Sequence, residues 1–199
     1  MEEHAVQNFV RQKVEWLDRD TAQSRAMCAH LRRGIGKPPG DVPALWEITL
    51  ADAPGDWRSY RGEPSYAQYA VHTALTLYAL HRQGKTQSMC AFEKTDGHSF
   101  GGAAARLVRR DENRLDAVKR RFNAAATAAV FTELAQHARG LIQLMRAESE
   151  PIRLDYPRFA LDLFVFQHPG RADGIRLRWG EDFYRVLSGK EKERDEGQS

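Results

Sequence analysis

Cysteine is scarce in this chain: Cys28 and Cys90 are the only two in 199 residues. Neither belongs to a CxxC pair or stands at ligand spacing from a histidine. That excludes a disulfide framework and a thiolate zinc site, and makes a reducing, cytoplasmic setting the expectation. Long apolar runs are missing too. No stretch approaches the ~20 residues that a membrane-spanning helix needs, so no membrane association is expected. The opening residues, MEEHAVQNFVRQ, lack the basic segment and apolar core of a secretory signal. Charge of one sign is not in large excess, with 30 Lys and Arg against 27 Asp and Glu.

Catalytic constellations are equally sparse. The segment GIGKPPGDVP (34–43) has the glycines and lysine of a phosphate loop, but no GxxxxGK[ST] spacing and no strand upstream. Arg32, Arg33 and Lys37 are therefore read as a cationic cluster at a loop. Asp155 and Asp162 stand two helical turns apart, the pattern of a carboxylate pair in a metal-dependent nuclease. Asp155 reads better as a helix N-cap and Asp162 as a surface residue. Ser99 beside His98 has no orienting acid. His72 and His81 lack the i, i+4 spacing of a metal pair, which leaves core or rim packing. No catalytic residue, metal or cofactor is expected, and the chain is not read as an enzyme.

What the sequence does carry is helical periodicity. Val6, Val10 (or Phe9), Val14 and Leu17 share one face of a helix over 4–18. A second helix, 20–33, starts at Asp20 as N-cap and stops at Gly34. Asp41 and Pro43 open a short helix through Leu50, and 51–64 is loop. The most apolar stretch, SYAQYAVHTALTLYALHRQG (65–84), is apolar on nearly every side, the mark of a helix buried on most of its surface. Another helix over 99–110 ends in Arg106, Arg109 and Arg110, where positive charge opposes the helix dipole. Asp155 and Pro157 open a helix carrying Phe159, Leu163 and Phe166, and a last helix covers about 174–187. The fold class is all-α: a bundle of about eight or nine helices joined by short loops. Two packed helical subdomains, 1–110 and 111–188, fit the same pattern. The charged tail 189–199 has no apolar anchor and is expected to be disordered.

The stretch KRRFNAAATAAVFTELAQHARGLIQLMR (119–146) organises the rest. Leu134, Ala138, Leu141, Ile142 and Met145 make one apolar helix face. Beside it runs a row free of carboxylates: Gln136, Arg139, Gln143 and Arg146. Arg139 and Arg146, two turns apart, stand roughly 10 Å from each other along the axis. Upstream, Leu115, Val118, Phe122 and Ala125 make another apolar stripe flanked by Lys119, Arg120 and Arg121. Residues 101–158 hold eleven Lys and Arg against seven Asp and Glu, so the positive excess gathers here. Two packed helices with Arg, Lys and Gln along their outer edges can grip phosphates while their inner faces hold the fold.

Several phrases taken in order resemble one family: HLRRGIGKPP (30–39), YAVHTALTLYALHRQG (69–84), FGGAAARL (100–107), KRRFNAAATA (119–128), ELAQHARGLIQLMR (133–146), LDYPRFALDLF (154–164) and WGEDFY (179–184). The pattern, covering about residues 4–187, is similar to the CasB family, the small subunit of the type I-E CRISPR surveillance complex Cascade. The resemblance implies a helical, non-catalytic subunit that pairs head-to-tail with a second copy of itself and docks on other Cascade subunits. It also implies sequence-independent binding of nucleic acid, steadying the crRNA-guided target DNA strand and guiding the displaced single strand of the R-loop. Carried over by motif, the nucleic-acid-binding positions are Arg32 and Arg33 in HLRRG, Arg120 and Arg121 in KRRF, and Arg139 in HARG. Lys37, Arg106, Lys119 and Arg146 join them by proximity. Relatives carry Leu where this chain has Ala138, a smaller residue beneath Arg139. Trp57 and Tyr60 on the 51–64 loop are the aromatics named for base stacking, without an assigned role. The competing readings are a stand-alone helical DNA-binding regulator, which needs a recognition helix and two-fold half-sites, and a metal nuclease.

Overall fold

The computed structural model describes residues 2–59, 61–93, 95–109 and 111–189. Tyr60, Arg110 and the charged tail from residue 190 lie outside the described residues, and so do the expectations attached to them.

A helix apolar on nearly all sides must be covered on nearly all sides, and the architecture follows from that. This central helix, α4 (Tyr66–His81), starts at a capping box: Ser65 Oγ accepts from Gln68 N at 3.2 Å and Gln68 Oε1 accepts from Ser65 N at 2.8 Å. It is wrapped by α1 (Glu2–Leu17), α2 (Ala22–Arg33), α7 (Phe131–Ala147) and α8 (Tyr156–Phe166). Two shorter elements, the 3-10 turn Pro43–Leu45 and α3 (Trp46–Thr49), lie between α2 and α4, and α3 also packs on α4. On the other side α5 (Phe100–Arg109) crosses α9 (Ala172–Leu187), and α6 (Leu115–Ala126) packs on both α5 and α7. The buried apolar residues form one cluster to which helices from both halves of the chain contribute. Among the described residues there is no strand; Cys90 and Leu154 form an isolated bridge.

The crossing of α5 and α9 explains the two glycines of FGGAAARL. A β-carbon on Gly101 would stand 2.8 Å from the carbonyl carbon of Trp179, and one on Gly102 would stand 2.8 Å from that of Asp96. Neither position leaves room for a side chain. Phe100, Phe122, Phe159, Trp179 and Phe183 fill the surrounding core with stacked and tilted rings.

Three local expectations are corrected. Asp162 is not a surface residue: it is 1% exposed, accepts from Trp179 Nε1 at 2.6 Å and pairs with Arg178 at 2.6 Å. Burial raises its pKa, opposed by Arg178 and Arg158. The N-cap of α2 is Thr21, whose hydroxyl accepts from Ser24 N at 3.1 Å. Asp20 stands outside the helix at φ 53° and gives its carboxylate to Arg82 and Arg25 instead. Trp57 is buried against Phe9, their ring centroids 5.3 Å apart, so its face is closed to a nucleobase. Asp155 does cap α8, accepting from Arg158 N at 2.9 Å. The stretch 119–146 is two helices, since α6 ends at Ala126 and α7 begins at Phe131.

Candidate nucleic-acid interface

The apolar face of α7 is buried at Leu134, Ala138, Leu141, Ile142 and Met145, which fixes the rotation of the helix about its axis. That rotation turns Gln136, Arg139 and Gln143 outward, with Arg146 half-buried at the far end. Across α4 from α7, helix α2 ends at Gly34, where the chain turns closely over α4. His72 Nε2 donates to the Gly34 carbonyl at 3.0 Å, and burial holds the imidazole pKa down, keeping the ring neutral. This contact brings the loop 35–38 up to face α7.

The result is a furrow of about 400 Å³, floored by α4 through Tyr69, Thr73 and Leu77 and walled by Ile35–Pro38 and by α7 from Phe131 to Arg139. Lys37 stands on one rim and Arg139 on the other, and among the described residues lining it none is acidic. Lys37 has a loose ion pair with Asp41 at 3.8 Å, both side chains about half exposed, so it can turn to a stronger anion at little cost.

Further along α4 the same arrangement repeats. Arg32 reaches from α2 to the Ala79 carbonyl at 3.4 Å, and Arg146 reaches from α7 to Gln83 Oε1 at 2.6 Å. Arg32 also borders a second hollow of about 200 Å³ with Arg25, Arg82 and Lys85, in which Asp20 is the single carboxylate among the described residues. Arg82 is held rigidly, donating to the Leu17 carbonyl at 2.6 Å and pairing with Asp18 and Asp20. Lys85 donates to the Glu148 carbonyl at 2.8 Å. Sequence reading missed Arg25, Arg82 and Lys85; the cations in HRQGK at the end of α4 were the available signal.

The other basic positions lie elsewhere. Arg33 is exposed at the end of α2. Arg106 is half-buried on α5, the helix that packs on α9. Lys119 is drawn to α9, its ammonium 5.5 Å from the Tyr184 ring centroid. Arg120 and Arg121 are exposed on α6, where Arg121 donates to the Ala117 carbonyl of its own helix at 3.5 Å. None of Arg33, Arg106, Lys119, Arg120, Arg121 and Arg146 lines either hollow. By the elements that carry them, the basic positions fall into two groups, Arg32, Arg33, Lys37, Arg139 and Arg146 on α2, the loop after it and α7, and Arg106, Lys119, Arg120 and Arg121 on α5 and α6. Among the described residues no group of three or more His, Cys, Asp or Glu is placed to hold a metal ion, and no helix is long and apolar enough to cross a membrane.

Comparison with solved structures first defines the class, an all-helical CRISPR-associated protein. CasB from Thermobifida fusca shares 31% identity over 90% of this chain and 98% of its own, with a TM-score of 0.72. M. ruber CasB has the same fold at 18% identity and a TM-score of 0.65, over 92% of this chain and 95% of its own. A Cse2-family protein from Thermus thermophilus matches at 23% identity and a TM-score of 0.63, over 88% of this chain and 97% of its own. Comparison with curated proteins returned no match. Residues 27–184 match the family described as CRISPR-associated protein Cse2, and the chain belongs to that family, CasB by its other name.

Proposed function

We propose that this chain is a non-catalytic subunit of the Cascade complex that holds target and displaced DNA strands through their backbones and so steadies the R-loop. The observation that carries the reading is the furrow across α4. It gathers Lys37 and Arg139 on its rims, with no carboxylate among the described residues of its lining, while Arg32 and Arg146 bond to Ala79 and Gln83 further along. Cations on α2 and α7 and on the loop after α2 suit a backbone whose charges repeat regularly, and backbone contacts carry no sequence information. That division of labour fits an RNA-guided complex, where pairing with the guide reads the sequence. Membership of the Cse2 family supports the same reading. The exposed Arg120 and Arg121 on α6 provide a second basic surface for the other strand or for a neighbouring subunit, and a second copy of the chain is the expected partner within the complex.

Fluorescence anisotropy with unrelated DNA sequences tests the reading. Arg139→Glu and Arg121→Glu are expected to weaken all sequences equally, with affinity falling steeply as salt rises. A loss confined to one sequence would favour the regulator.

A further inference from the structure

The furrow has more than a charged rim. Its lining includes the rings of Tyr69 on the floor and Phe131 on the α7 wall, whose centroids lie 5.7 Å apart at an interplanar angle of 60°. Ile35, Leu77 and Ala135 complete an apolar lining beneath the cations. A backbone clamp needs only the rim, because phosphates bind at the surface and gain nothing from an apolar hollow below them. A volume of about 400 Å³ falls within the range of clefts that enclose a small organic group. The polar groups inside are few and well placed. The Thr73 side chain is on the floor and the Gln136 amide stands at the α7 edge. The Thr76 hydroxyl is already committed, donating to the His72 carbonyl at 2.8 Å.

We infer that this hollow takes an unpaired nucleobase of a single strand, its face on one ring of the Tyr69–Phe131 pair and its edge toward the other, and its flanking phosphates on Lys37 and Arg139. The inference rests on the clamp reading and deepens it, naming the unpaired strand as the occupant of this site. Charge complementarity selects the ligand: an apolar, aromatic-walled hollow under two cations fits a base joined to phosphates. A duplex cannot use it, because its bases are stacked inside and do not present a face. The site is sequence-tolerant, since every base offers a π-face, and that is consistent with guide pairing as the only reader of sequence.

The test uses the full chain with three fluorescent probes of equal length: an oligothymidylate, the same strand with abasic sugars throughout, and a duplex. The wild type is expected to bind the oligothymidylate about tenfold more tightly than the abasic strand. Phe131→Ala removes that difference and leaves the abasic and duplex affinities unchanged. Because Phe131 is half-buried, Ala135→Phe provides a second route: it fills the hollow from a partly exposed helix position and is expected to have the same selective effect. Circular dichroism confirms that each variant is folded. Equal binding of base-bearing and abasic strands by the wild type would overturn the base site and leave the clamp standing, provided Arg139→Glu still weakens both. A uniform loss across all three probes on filling the hollow would overturn it as well. Failure of every probe to bind at low salt would overturn the clamp itself.

Discussion

Replacing Gly101 with alanine puts a methyl group where α5 crosses α9 with no room for it. Helix propensity alone favours the change by about 1 kcal/mol, because glycine gives up the most freedom on entering a helix. The structure opposes it. The new β-carbon would lie 2.8 Å from the Trp179 carbonyl carbon and 3.1 Å from its Cα, where ordinary van der Waals contact begins at 3.4 Å. The nearest obstacle is the Trp179 carbonyl oxygen, closer still than its carbon and part of the backbone with no rotamer to turn aside, so α5 and α9 must separate by well over half an ångström. A gap of that size forfeits a quarter or more of each affected dispersion contact, and the Phe100–Trp179 and Phe100–Phe159 ring pairs lie beside it. Overpacking in a filled core costs up to about 3 kcal/mol. Subtracting the propensity gain leaves a net loss of about 2 kcal/mol, which for a chain of this size lowers Tm by about 4–8 °C. Gly140→Ala on α7 is the control, since a β-carbon there meets nothing within 4 Å. Thermal melts followed by far-ultraviolet circular dichroism should show the first variant falling and the second rising. A Gly101→Ala variant that melts at or above the wild type would refute the close crossing.

Asp162→Ala should cost about 1–3 kcal/mol in urea unfolding, because it strands the buried Trp179 indole donor; a change below about 0.5 kcal/mol is what a surface site would give. His81 is fully buried, and its pKa is pushed down to about 3, by burial first and then by Lys85 and Arg146. Below the ordinary histidine pKa the unfolded chain takes up a proton that the folded chain refuses, so this contribution to stability is present above about pH 6.5 and lost as pH falls. The stability difference between wild type and His81→Gln should therefore shrink by about 2 kcal/mol between about pH 7 and pH 5. Asp155, pushed up to about 6 chiefly by burial, works in the opposite direction. Its folded form holds a proton that the unfolded form has released, so the deficit of Asp155→Asn should grow as pH falls. Arg139→Glu should lower the slope of log affinity against log salt by about 1, read from anisotropy titrations with any DNA sequence.

Local signals carried most of the helices. The buried row of α7 and the Asp155 cap followed from periodicity and cap chemistry, because each depends on residues within one or two turns. What the chain alone did not disclose depends on distant partners. Asp162 looked like surface because its partners, Arg178 and Trp179, arrive on the next helix. Asp20 looked like a cap, but Arg82 draws its carboxylate away and Thr21 takes the position. Trp57 sat in a loop-like segment, yet α1 covers it through Phe9. The candidate site shows the same division. The carboxylate-free row on α7 was visible as a pattern, whereas its meeting with Lys37 required the Gly34–His72 contact that folds the loop across α4. Lys119 was grouped with Arg120 and Arg121 by adjacency, but helical rotation carries its ammonium over Tyr184 on α9.

The most direct test of the central claim is R-loop formation by a guide-loaded Cascade complex that lacks its small subunit, measured with and without this chain. Adding the wild-type chain should increase R-loop yield, and adding folded Arg139→Glu should leave the yield at the level of the depleted complex. No incorporation of the chain, or an R-loop yield indifferent to its presence, would contradict the account.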